Sequence, residues 1–126
     1  MAKNLQPYWL VTDTVTYADD DAITTVAVIP AKTLVMRSCI IVSTALTDDS
    51  TSIEMGDEDN QDCFVDTTDA TATTAGAYWG DGDPATSNEG AWYATSKRVT
   101  ITIAGGTLIA GEAFGVLQCL DLSNTV

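Results

Sequence analysis

The sequence predicts an all-β protein: an antiparallel β-sandwich of jelly-roll type, with about eight strands and little or no helix. Three observations carry this expectation. Apolar and polar residues alternate at period two along several segments. Thr is abundant, with Val and Ile behind it, and such β-branched side chains are stiff at χ1 and suit a pleated, half-buried surface. No segment keeps apolar residues at i, i+3, i+4 and i+7 for three turns, as an amphipathic helix would.

Taken in order, "PYWLVTDTVTY" reads as a first strand. Residues 1–11 read equally well as an N-terminal arm that crosses to a neighbour, with Tyr8 and Trp9 as apolar anchors; Tyr8, Trp9 and Leu10 are candidate partner-binding residues. "TTVAVIP" is a strand stopped by Pro30, which has no N–H to give to a ladder. "TLVMRSCIIVSTAL" is long and largely apolar on both faces, as expected of a central strand in a packed sheet. "SIEMG" and "CFVD" are two short strands flanking an acidic loop. In that loop Gly56 is free to take a positive φ angle, and Asp and Asn side chains turn the backbone. "DTTDATATTAG" has N-cap candidates in Asp66 and Asp69, and its Thr content allows one short turn at most. "KRVTITIAGG" sets Val99, Ile101 and Ile103 on one side and Thr100 and Thr102 on the other, ended by Gly105 and Gly106. "EAFGVLQCLDL" closes the chain as a strand. Gly115 fits there if a bulge or a close backbone approach requires it. With 126 residues and no linker, repeat or low-complexity tail, residues 1–126 are expected to form a single β-sandwich domain.

The charge balance bounds the partners. Eighteen acidic residues stand against five basic ones, a net charge of −13. Phosphate binding needs Lys and Arg to displace counterions, so nucleic acid is not an expected partner. The acidity serves solubility, contact with a basic protein surface, or divalent cations. No apolar run approaches the roughly 20 residues of a membrane span, and the start lacks the apolar core of a signal peptide. Synthesis and folding in a cytoplasm are expected. Cys39, Cys63 and Cys119 show no C-x-x-C spacing and each has apolar neighbours, so they are expected to be reduced and buried.

No catalytic or cofactor-binding residue is predicted. The chain has no histidine, which excludes Ser-His-Asp and Cys-His catalysis and any His-ligated metal. No G-x-S-x-G occurs, and "GDGDP" lacks the G-K-[ST] ending of a phosphate loop and reads as a turn. The stretch "MGDEDNQDCFVD" concentrates five acids. With Asp57 as position one of an EF-hand loop, Asp59 and Gln61 fall at three and five, but Asp62 replaces the required Gly and Thr68 the required Glu. A weak cation site at Asp57, Asp59 and Asp62 is the minority reading of this stretch, and a solvated turn between strands the main one. A glycosidase pair would need two acids facing a cleft, one with a raised pKa, and acids crowded on one exposed loop do not supply that. In "AYWGDGDPATSNEGAWYATS" the pairs Tyr78-Trp79 and Trp92-Tyr93 bracket a polar segment. Trp79, Trp92 and Tyr93 are candidate partner-binding residues. They pack on the sandwich rim, serve an assembly contact, or stack on sugar rings in a glycan-binding module.

From Ile29 onward the chain resembles small structural proteins of tailed-bacteriophage heads, in particular capsid decoration (cement) proteins. The likeness lies in "IPAKTLVMRSCIIVSTAL", then "SIEMGDEDNQDCFVDTTDATATTAG", then "AGEAFGVLQCLDL". It spans about residues 23–122 and consists of turn and strand patterns: a P-A-x-T turn into a long strand, a glycine-acidic loop ending in F-V-D, a Thr-rich stretch closing on A-G, and an A-G-E turn. The resemblance implies a β-sandwich virion component. It would bind the outer face of the major capsid protein shell and stabilise it, self-associating as a homotrimer without cofactor. Another phage part, from tail or neck, is the alternative within the same class.

Overall fold

The computed structural model describes residues 5–48, 51–81, 90–105 and 107–125. Nine strands form among them: β1 (Tyr8–Val11), β2 (Val15–Thr16), β3 (Ala22–Ile29), β4 (Thr33–Thr44), β5 (Ser52–Asp57), β6 (Gly76–Trp79), β7 (Ala91–Tyr93), β8 (Lys97–Ala104) and β9 (Glu112–Asp121). No helix among the described residues is long and apolar enough to cross a membrane.

The strands make two antiparallel sheets. In the larger, β9 and β4 lie side by side at the centre. β1 and β2 follow each other along the free edge of β9, and β6 and β7 along the free edge of β4. The smaller sheet has the order β3-β8-β5. The period-two pattern decides which side chains meet between the sheets. On β9, Ala113, Gly115, Leu117 and Cys119 are buried and the residues between them are half-buried. β8 contributes Val99, Ile101 and Ile103, and β5 contributes Ile53 and Met55. Phe64, Leu46 and Ile29 complete the core. All three cysteines are buried, and they form no disulfide.

Gly115 is explained by close approach. A Cβ there would overlap the Met55 sulfur, and the backbone at this point exchanges two bonds with Thr12: Thr12 N–H to the Gly115 carbonyl (2.9 Å) and Gly115 N–H to Thr12 Oγ1 (2.8 Å). That pair ties the end of β1 to the middle of β9.

Three local expectations change. Gly56 does not adopt a positive φ; it is required because a Cβ would overlap the Asn60 carbonyl, which folds back over β5. "CFVD" does not form a strand of its own. Val65 makes a single bridge to Met55, whose carbonyl accepts from both Phe64 N–H and Val65 N–H (3.0 Å each), because Phe64 turns into the core. After β2 the chain makes a 3-10 turn at Tyr17–Asp19, closed by a reciprocal cap between Thr16 and Asp19. Of the two readings of residues 1–11, residues 8–11 form an edge strand on β9; residues 1–4, including Lys3, lie outside the described residues. The same holds for Gly106 and for residues 82–89, so most of "GDGDP" and of the polar segment before Trp92 lies outside them too.

Candidate functional site

The acidic loop is built as a fastener. Asp57, at the end of β5, is 4% exposed. Its Oδ1 accepts from the N–H groups of Asp59 and Asn60 (2.9 Å each), and its Oδ2 accepts from the Tyr93 hydroxyl (2.8 Å). Asp59 meets Lys97 (2.6 Å), while Glu58 meets the Arg98 guanidinium (3.2 Å) and accepts from the Arg98 N–H (3.0 Å). The Arg98 backbone bond, more than its side chain, draws the Glu58 carboxyl below its ordinary range, and the Asp59 bond raises Lys97. The one adjacent Lys-Arg pair in the chain thus clips the loop to the start of β8. Among the described residues no group of His, Cys, Asp or Glu is placed to hold a metal ion. The cation reading of Asp57, Asp59 and Asp62 gains nothing from this geometry: Asp57 turns inward to Tyr93 and Asp59 outward to Lys97.

Nor do the described residues assemble a nucleophile. Burial pushes the Cys63 thiol up to about 12 and Cys119 to about 11, so both stay protonated at neutral pH. A shallow groove of about 460 Å³ lies at the end of β4, lined by Ala45, Leu46, Thr47, Asp48 and Thr73. Its polar atoms hold the loop before β9: Thr47 Oγ1 accepts from Ile109 and Ala110 N–H, and Asp48 from Thr107 N–H.

The surface with the clearest capacity for an interaction is the outer face of the larger sheet. Its ladder rows can be read across the strands. Trp9, Gln118 and Arg37 form one row; Val11, Val116, Cys39 and Trp79 the next; Phe114, Ile41 and Ala77 follow; Leu120, Leu34 and Trp92 lie at the other end. Trp9 reaches across β9 and β4 to Trp79, edge to face, with ring centroids 6.4 Å apart and planes at 63°. The Arg37 guanidinium stacks on the same Trp79 ring, 4.3 Å from its centroid. Cys39 is the register partner of Trp79 on this face and is 2% exposed. The cap itself is half in water. Trp9 is 51%, Trp79 41%, Trp92 45% and Val11 59% exposed.

The sequence-predicted residues therefore divide by strand parity. Trp9, Trp79 and Trp92 share the outer face. Tyr8 and Leu10 alternate to the other side and pack against the core. Tyr93 lies inside instead of on the outer face: it is 7% exposed, and its hydroxyl donates to Asp57. Trp79 and Trp92 pair with Cys39 and Leu34, five residues apart on β4, or about 16 Å at the rise of a strand, so they lie apart and do not form one stacking platform. Arg37, Val11 and Gln118 were not singled out from sequence. The available signal was that "EAFGVLQCLDL" is apolar at both parities, which marks a strand with a second face to cover.

No family model and no curated protein matches the sequence. Two solved structures contain a chain of the same fold. A chain of the cyanophage Pam1 capsid asymmetric unit matches with a TM-score of 0.69 at 14% identity, over 96% of this chain and 90% of that one. A chain of the acidic stable capsid structure of Helicobacter pylori bacteriophage KHP30 matches with a TM-score of 0.66 at 12% identity, over 90% of this chain and 86% of that one. At these identities the likeness is one of architecture: the chain has a β-sandwich fold that also occurs in the capsids of two bacteriophages.

Proposed function

We propose that this protein is a structural component of a tailed-bacteriophage head, a capsid decoration (cement) protein that binds the outer face of the major capsid shell as a homotrimer and stabilises it. The observation that carries the reading is the near full-length fold match to chains of two phage capsid structures. The physical character of the chain supports it. A protein of charge −13 is better placed outside a head than against the DNA within. A partner that binds only the assembled shell stabilises it by mass action, and multivalent contact multiplies modest affinities. The role asks for no cofactor and no chemistry, only a rigid domain with contact surfaces.

The test is binding of the purified protein to heads that lack it. The reading expects saturable binding and a rise in the temperature at which heads disrupt. Co-purification with tails or necks, without binding to heads, would overturn it in favour of another phage structural role.

A further inference from the structure

We propose that the outer face of the larger sheet, centred on Trp9, Arg37 and Trp79, is where a second copy of this chain docks. The proposal rests on the reading of the chain as a self-associating capsid component and names the surface that does it.

Charge selects the occupant. Eighteen acids are distributed over this small chain, so two copies repel wherever their acidic surfaces approach. Among the described residues, the ladder rows of the outer face, from Trp9 and Val11 across β9 and β4 to Ala77, Trp79 and Trp92, carry no carboxylate, and Arg37 is their one ionised side chain; Asp81 follows Trp79 at the sheet edge, and Glu112 and Asp121 mark the two ends of β9. Two copies can meet here without setting acid against acid. A basic partner would find its complement elsewhere, at Asp13, Asp19, Asp21 or the loop after β5.

Area and composition agree with a protein contact. β9 is ten residues long and the sheet is four strands wide at this point, which gives a flat footprint of about 600 Å². A standard interface buries about 800 Å² of accessible surface per partner, and accessible surface exceeds flat footprint, so the face is of the right size. It presents Trp and Arg, the residues that most often dominate binding energy, with Gln118 as a central hydrogen-bonding group. The smaller sheet also exposes Ile23 and Val28, but on a three-stranded face with no aromatic cap.

The experiment is sedimentation velocity of the full chain between about 1 and 100 μM, the span over which a micromolar interface populates. Val11→Glu and Trp92→Glu place a carboxylate on the outer face at exposed positions. Ile23→Glu and Val28→Glu do so on the smaller sheet. The expected result is an oligomeric wild type, association weakened at least about tenfold by either outer-face change, and no shift for the other pair, with melting curves showing that all four fold. A wild type that stays monomeric throughout overturns the proposal, as does an oligomer indifferent to Val11→Glu and Trp92→Glu. Offering the same proteins to undecorated heads separates this inference from the one it rests on. A monomer that binds heads, and loses them on Val11→Glu, assigns the face to the shell and ends self-docking. Association through this face without head binding leaves the docking in place and ends the decoration role.

Discussion

At the scale of single residues, Asp57 accepts from two backbone N–H groups and from the Tyr93 hydroxyl in a site closed to water, and this sets what its replacement costs. Asp57→Ala removes the acceptor of the Tyr93 hydroxyl bond and of two backbone N–H bonds and should destabilise by about 1–3 kcal/mol. Gly56→Ala forces a methyl into the Asn60 carbonyl, and since the obstacle is backbone, a loss of about 1–3 kcal/mol is expected. Thermal unfolding checks both. Glu54 gives a pH-dependent counterpart. Burial, then the nearby Asp62 and Asp66 charges, raises its folded pKa above the ordinary 4.5. The folded state therefore holds more protons than the unfolded state between those two values, and stability falls as pH rises through that window. Glu54→Gln should raise the melting temperature at pH 7, with the gain vanishing below about pH 4.5; a gain independent of pH would contradict this origin. Asp66 runs the other way: the Thr68 hydroxyl, with the Thr68 and Asp69 N–H groups, holds its carboxyl low, so its contribution is present at neutral pH and lost in acid. These roles were only half legible in the sequence. The turn-forming habit of Asp and Asn was, but the partner of Asp57 lies 36 residues away at Tyr93, and no local pattern announces that pairing.

At the scale of elements, parity carries most of the account. "KRVTITIA", "TTVAVI" and "TLVMRSCIIVST" became β8, β3 and β4 because alternation and β-branching act locally. "CFVD" was overridden by tertiary packing, since burying Phe64 completely outweighs extending a two-residue ladder. The Thr16–Asp19 cap was present in the letters as T-x-x-D, hidden inside an otherwise strand-like run. The edge strand β1 joins stability to contact. Tyr8 and Leu10 face the core while Trp9 and Val11 face out, so deleting residues 1–11 should lower the melting temperature as well as weaken association. Trp9→Ser should lower the melting temperature less than the deletion while still weakening association. Calorimetry beside sedimentation separates the two effects, and a deletion that leaves the melting temperature unchanged would mean that β1 adds nothing to the fold. In the clip after β5, Lys97→Ala removes an exposed ion pair, and such pairs contribute little in water, so the melting temperature should scarcely move.

At the scale of the whole molecule, two properties coexist: a strongly negative chain and one sheet face whose ladder rows, among the described residues, carry no acid. The first predicts that added salt raises the melting temperature, by screening self-repulsion more than it weakens the few ion pairs. The second makes the chain suited to assembly. The fold class followed from composition and periodicity, but the outer face depended on register. Trp9 and Trp79 are 70 residues apart in sequence and meet only because β1 and β6 flank the β9–β4 pair. The central claim is a role on a phage head, and the most direct measurement is the binding of purified protein to undecorated heads, followed by particle mass and thermal disruption. The account predicts saturable binding at a fixed stoichiometry and a higher disruption temperature. Heads unchanged in mass and stability at saturating protein would contradict it.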